Sequence, residues 1–173
     1  MKNGPRIVLT GFMGAGKTTV ARALARLLGG RLVSLDDLVT QLEGRPPQAL
    51  LDEEGEDHFR DAETCALRLA LADASARVVD TGGGALTLER NRALVDEHGC
   101  VTVWLDAPFD LCWRRINADA AHTERPLARD RARARSLYEQ RRAVYRLAAL
   151  RVRVTPQRSA EDLAAEILRA ARA

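Results

Sequence analysis

The sequence predicts an α/β fold: a five-stranded parallel sheet with helices on both faces, three layers in all. Three observations carry that prediction. Five apolar runs of four to six residues punctuate the chain. Longer stretches of helical periodicity separate them, the pattern of βαβ units whose strands are buried on both faces. At the seam between the first run and the first helix lies a glycine-rich G-x-x-x-x-G-K-[ST] segment, which makes the fold one of the P-loop nucleotide-binding type.

Taken in order, the strands are expected over 6–10, 31–35, 77–80, 100–105 and 150–154, where Ile7-Val8-Leu9, Leu32-Val33, Val78-Val79, Val101 to Leu105 and Val152 supply the apolar content. Helices are expected near 17–28, 36–43, 55–73, 88–97, 107–117, 129–147 and 160–171. Two segments break the alternation. Gly44-Arg45-Pro46-Pro47 reads as a turn between helices, and the polar, arginine-rich stretch from Asn117 to Asp130 reads as a mobile loop. No repeat, low-complexity tract or linker divides the chain, so 1–173 is expected to be one domain.

Composition narrows the classes. With 46% hydrophobic and 29% charged residues, the chain has the balance of a soluble globular protein. No apolar run approaches the roughly 20 residues of a bilayer span, and the start of the chain lacks a signal-peptide core. A cytoplasmic protein with no membrane partner is expected. Cys65, Cys100 and Cys112 are odd in number and widely spaced, which suits neither a disulfide framework nor a zinc site; they are expected to be small core residues. A net charge of +3 and a pI near 9.0 raise the question of nucleic acid, but aromatics at 4% are too few for stacking platforms. Anionic small molecules account for the basicity. Lysine occurs only at positions 2 and 17, which makes Lys17 conspicuous.

Residues 11–18 read GFMGAGKT and fit the phosphate-loop pattern at every fixed position. Glycines allow backbone N–H groups to curl around phosphate oxygens, and the following helix aims its positive end at them. Gly11, Gly14, Ala15, Gly16, Lys17, Thr18 and Thr19 are therefore the expected nucleotide-binding stretch. Lys17 would reach the β/γ-phosphates and the Thr18 hydroxyl would ligate Mg²⁺. The loop alone does not name a reaction. Base-recognition motifs of the N-K-x-D type are absent, and a short chain with a lid favours a small-molecule kinase using ATP.

Further along stand Asp36; Gly55-Glu56-Asp57-His58-Phe59-Arg60 with Glu63; Thr81-Gly82-Gly83-Gly84; Glu124-Arg125-Pro126-Leu127; and Arg141-Arg142-Ala143-Val144-Tyr145. Taken singly, Arg60 with Glu63 is an i,i+3 surface pair, Arg141 a solvated helix face, and the glycines a flexible turn. In this order and spacing, over almost the whole chain, they resemble the shikimate kinases. The resemblance implies a sheet ordered 2-3-1-4-5, an acceptor-binding region over about 36–63 and a lid over about 117–128. It further implies phosphorylation of a ring hydroxyl of shikimate, giving shikimate 3-phosphate. Shikimate carries one carboxylate and three ring hydroxyls, so its site needs a bidentate cation at one end and hydroxyl-reading acceptors at the other. By resemblance Arg60 and Arg141 bind the carboxylate, Asp36 the hydroxyl, and Gly82, Gly83 and Gly84 the substrate through their backbone. Glu63 orients Arg60, Arg125 reaches the transferring phosphate from the lid, and Arg115 stacks on adenine.

One position departs from the family pattern. The family's second strand ends in D-x-D, whose first aspartate serves magnesium through water, but here the segment reads Ser34-Leu35-Asp36. Asp36 and Asp37 cannot replace that pair, because adjacent strand residues face opposite ways. Asp80, at the end of the third strand, is the expected substitute, holding Mg²⁺ through water as many P-loop enzymes do. Two other readings stand beside shikimate: a kinase of the same build for another carboxylated polyol such as gluconate, and a nucleotide-binding paralogue with little catalysis. The three histidines show no ligand spacing, and a monomer is expected. The shikimate reading requires the heads of Arg60 and Arg141 to meet in the cleft.

Overall fold

A computed structural model describes residues 4–118 and 129–172. The strands are β1 (Ile7–Thr10), β2 (Arg31–Ser34), β3 (Ala76–Asp80), β4 (Val101–Asp106) and β5 (Leu150–Arg153). They form one sheet in the order β2-β3-β1-β4-β5, every neighbouring pair parallel. Around it lie α1 (Lys17–Leu28), α2 (Leu35–Glu43), α3 (Pro47–Glu54), α4 (Glu56–Ala72), α5 (Glu89–Glu97), α6 (Phe109–Ala118), α7 (Arg131–Tyr145) and α8 (Ala160–Ala170). Sheet order and parallel sense are those expected.

Parallel strands alternate their side chains between two buried faces. Ile7 and Leu9 belong to the core formed with α1, α6 and α8, whereas Val8 between them belongs to the core formed with α2, α3 and α4. Val78 and Val79 of β3 divide the same way. The sheet is thus clamped from both sides, and its C-terminal edge is left to the loops.

Two differences from expectation have local causes. Pro46-Pro47 does not end in a turn but starts α3, with proline in the first helical turn, where its fixed φ suits the helix and no N–H is missed. Leu35 opens α2 rather than closing β2, because the Ser34 side chain accepts a hydrogen bond from the Asp37 N–H at 3.3 Å and caps the helix. A short 3₁₀ turn at Ala85–Thr87 was also not anticipated. Of the cysteines only Cys112 is a core residue. Cys65 lies on the outer face of α4 and is exposed, which corrects the expectation; Ala62, Ala66 and Ala70 occupy the buried face there.

The register fixes what the edge presents. Asp80 pairs with Ser34 of β2 on one side and Leu9 of β1 on the other. The phosphate loop after β1, the glycine turn after β3 and the first turn of α2 after β2 therefore emerge side by side, the crevice position where open α/β sheets bind ligands. Thr81 pins the glycine turn to β1, donating its hydroxyl to the Leu9 carbonyl at 2.7 Å.

Helix α8 packs on α1, the helix that follows the phosphate loop. Its N-terminus carries a reciprocal cap in which Ser159 Oγ accepts from the Asp162 N–H and the Asp162 carboxylate accepts from the Ser159 N–H. These bonds from Ser159 hold the Asp162 carboxyl below its ordinary range. A depressed carboxyl contributes stability above its unfolded pKa and loses it as pH falls through the folded value. Asp162→Ala should lower the melting temperature by about a few degrees at pH 7. Melting curves at successively lower pH should show that gap closing in the acid range.

Candidate active site

The phosphate loop is shaped by conformations that only glycine adopts freely. Gly14 has φ 75°, and a Cβ there would lie 2.6 Å from the Cys112 carbonyl oxygen; Gly16, the N-cap of α1, has φ 94°. Ala15 closes the turn by donating its N–H to Phe12 O at 3.1 Å. Lys17 is folded back over the loop, its Nζ donating to Gly11 O at 2.9 Å and Phe12 O at 3.2 Å. Loss of solvent lowers its pKa, opposed by the nearby Asp80 and Asp36 carboxylates.

Beside the loop a cavity of about 300 Å³ is lined by Gly16, Thr19, Arg115, Val154 and Arg158, among others. Arg115 reaches from α6 to the Gly14 and Ala15 carbonyls at 3.3 Å each and forms one wall of this cavity. Val154 and Arg158 come from the segment between β5 and α8. Sequence reasoning missed them; Arg158 donates to Arg153 O at 2.9 Å and pairs with Glu166.

At the centre of the edge the Thr18 hydroxyl donates to Asp80 Oδ2 at 2.6 Å. Asp80 is buried, and its Oδ1 has no hydrogen-bond partner. Burial raises the Asp80 pKa, opposed by Lys17 and by the Thr18 bond. A buried carboxylate oxygen without a donor is costly. A hydroxyl and a carboxylate side by side, facing a phosphate loop, suit a Mg²⁺ ion that keeps waters and phosphate oxygens in its shell. Ser34 instead spends its side chain on the α2 cap. Among the described residues no cluster of three or more His, Cys, Asp or Glu could hold a metal.

The acceptor side is built on the glycine turn. A Cβ on Gly84 would lie 2.7 Å from both terminal nitrogens of Arg60 and 3.0 Å from Nη2 of Arg141. Both guanidinium heads therefore meet at one point, as the shikimate reading requires. A Cβ on Gly82 would sit 3.0 Å from Glu63 Oε1 and 3.3 Å from Asp36 Oδ1, and one on Gly83 would lie 3.2 Å from Gly11 O. The turn is consequently the hub where the phosphate loop, Asp36, Glu63 and the two arginines come together. Asp37 beside Asp36 points outward and is exposed.

Arg60 is braced by Glu63, Nη1 to Oε2 at 2.5 Å, and its Nε and Nη2 also face Glu56 Oε1 at 3.4 and 3.2 Å. Glu63 is buried, and burial raises its pKa despite Arg60. Arg141 has no carboxylate within ion-pairing distance among the described residues. Tyr145, its phenol pushed up to about 12 by burial, stays protonated and donates to Gly83 O at 2.6 Å. Glu56 and Tyr145 lay within the recognised motifs, but their contacts were not foreseen.

Arg125 and residues 119–128 of the expected lid lie outside the described residues, as does His122. His58 pairs with Glu43 and the His98 ring meets Leu94 O, both away from the cleft residues.

The family described as shikimate kinase matches residues 13–172. A shikimate kinase of Geobacter sulfurreducens is 40% identical over 168 residues, which is 95% of this chain and 90% of that protein. One from Persephonella marina is 36% identical over 163 residues, 94% and 96% of the two chains. Among solved structures, a shikimate kinase from Acinetobacter baumannii in complex with shikimate superposes with a TM-score of 0.87 at 35% identity, covering 98% of this chain and 93% of that one. A gluconokinase from Sinorhizobium meliloti, 20% identical with a TM-score of 0.66 over 99% and 96% of the chains, shares the fold.

Gly84→Ala should force the two guanidinium groups off their meeting point. Since φ of Gly84 is −109°, the backbone itself tolerates alanine. Calorimetric titration should show carboxylate-ligand affinity falling by roughly tenfold or more, with nucleotide affinity unchanged.

Proposed function

Because the chain belongs to the shikimate kinase family, we propose that this cleft carries out the ATP-dependent phosphorylation of shikimate with the residues just described. The observation that supports the assignment of roles is the meeting of Arg60 and Arg141 beside Gly84, on a turn that abuts the phosphate loop at Gly11. One end of the cleft suits a carboxylate and the other a triphosphate. A ring bound between them would bring a hydroxyl toward Lys17 and Asp36.

In this reading the shikimate carboxylate docks on Arg60 and Arg141, and the N–H groups of Gly82 to Gly84 close over the ring. Asp36 accepts a hydrogen bond from the reacting hydroxyl and fixes its direction. The hydroxyl oxygen forms a bond to the γ-phosphorus of ATP as the bond to the β,γ-bridging oxygen breaks; ADP leaves and the hydroxyl proton passes to Asp36 or water. A loose transition state asks little of a base, so orientation is the larger contribution of Asp36. Lys17 spans the β/γ-phosphates, and Arg125, from a lid over about 117–128, meets the transferring group. Lid closure excludes water, which would otherwise compete as acceptor. Thr19 and Arg115 flank the base.

The Thr18 hydroxyl and, through water, Asp80 would hold Mg²⁺, which would supply positive charge to the phosphate oxygens. The orphaned Oδ1 of Asp80 is what supports this carboxylate in place of one at position 34. The protein is read as a single-domain cytoplasmic monomer acting on a small molecule, without nucleic-acid or membrane partners.

A coupled assay of ADP release tests the function: turnover should require shikimate, and equal turnover with gluconate would contradict the reading. Arg141→Lys should raise KM for shikimate by roughly tenfold, since a point charge cannot replace a planar fork. Asp80→Asn should raise the magnesium concentration for half-maximal rate by about tenfold with KM for shikimate near wild type, and weaken Mn²⁺ binding seen by electron paramagnetic resonance. Unchanged magnesium dependence and Mn²⁺ binding would transfer the metal role away from Asp80.

A further inference from the structure

The acceptor clamp draws on two separate pieces of chain: Arg60 rides on α4, while the glycine turn against which it packs belongs to the segment between β3 and α5. Something must hold those pieces in register. We propose that Asn91, on α5, is a positioning residue for the acceptor clamp and that Thr64 is its partner, an inference that rests on reading Arg60 and Arg141 as the carboxylate site.

Asn91 is fully buried, 0% exposed. Its Nδ2 donates to Ala85 O, the residue directly after Gly84, at 2.8 Å. Its Oδ1 accepts from the Thr64 hydroxyl at 2.8 Å. Thr64 stands one helical turn beyond Arg60, and its Oγ1 accepts in turn from Arg90 Nε at 3.1 Å. Arg90 Nη2 is anchored on Asp61 at 2.6 Å. The result is a continuous strap from the α4 turn that carries Arg60 and Glu63, through Asn91, to the carbonyl adjoining the glycine turn.

The proton directions along the strap are determined. A carbonyl oxygen only accepts, so the amide must turn Nδ2 toward Ala85 and Oδ1 toward Thr64. A threonine hydroxyl has one proton. With Arg90 donating to its oxygen, that proton has two acceptors in reach, Asn91 Oδ1 at 2.8 Å and Arg60 O at 3.0 Å; given to Asn91 it satisfies a buried oxygen that has no other donor. Each bond therefore has one orientation, and no member is interchangeable with an isostere of the opposite polarity.

Packing alone does not call for an amide at this position. A buried side-chain amide is costly unless its hydrogen bonds are made, and an apolar side chain would fill the space without that condition. What the amide adds is a fixed distance between two backbones. A Cβ on Gly84 would displace the Arg60 head, whose terminal nitrogens stand 2.7 Å from where it would be. At such close quarters a small slippage of α4 along the turn separates the guanidinium groups. The phosphate loop is reached from Thr81 and β1 instead, so slippage of α4 leaves the nucleotide side in place.

The test compares Asn91→Ala, Thr64→Val and Thr64→Ser with wild type, at a temperature where each variant's melting curve places it fully folded. Asn91→Ala and Thr64→Val should raise KM for shikimate by about three- to tenfold, the worth of one lost hydrogen bond. KM for ATP and kcat should stay within about twofold of wild type. Thr64→Ser, which keeps the hydroxyl, should restore the wild-type KM for shikimate. A purely structural role would lower the melting temperature without separating the two KM values, and that outcome overturns the proposal. If Asn91→Ala does not fold, Thr64→Val against Thr64→Ser decides. A wild-type protein inactive on shikimate would overturn the functional reading, and this inference with it, before any variant is measured.

Discussion

Two guanidinium groups held against a single glycine turn are the constraint on which the rest of the cleft depends. Like charges at such a distance repel, and the low exposure of Arg60, 15% for its side chain, strengthens that repulsion by limiting solvent screening. The arrangement persists because Glu63 braces Arg60 from the buried side and because the turn offers no Cβ to either head. Arg141 has no corresponding carboxylate among the described residues.

The second determinant is the parallel sheet. Its order sets β3 between β1 and β2, so three loops with different chemical duties leave the same edge at adjacent positions. That adjacency puts a β3 carboxylate, Asp80, beside the helix that follows the phosphate loop, where it accepts from the Thr18 hydroxyl. Ser34 and Asp80 are paired across the β2–β3 register, so a carboxylate at the end of β3 serves nearly the same volume as one at the end of β2. Ser34 caps α2, whose first turn carries Asp36 beside the glycine turn.

The strands were legible to within one residue; β1, β3 and β4 are buried on both faces and read as apolar runs, while the edge strands β2 and β5 carry arginines at exposed positions and show only a short apolar core. The proposed site residues were legible for two other reasons. Lys17 and Thr18 stand at fixed positions of the phosphate-loop pattern. Asp36, Arg60 and Arg141 were picked out by the family resemblance, the two arginines reading singly as surface residues. Less legible was whatever depends on packing between distant segments. Pro46-Pro47 carried two meanings, stop and start, and the helix-forming Gln48 to Glu54 that followed resolved it toward α3. Val154 and Arg158 reach the cavity beside the phosphate loop only through the path of the chain after β5. Asn91 and Thr64 are ordinary polar residues in sequence, and only their burial shows that they join α4 to the glycine turn.

The most direct measurement is a calorimetric comparison of shikimate with its neutral methyl ester, binding to wild-type protein without nucleotide. Ring, hydroxyls and shape are nearly shared, and the charge is not. If the paired arginines grip a carboxylate, the ester should bind on the order of a hundredfold more weakly. Equal affinities for acid and ester would contradict the account at its centre.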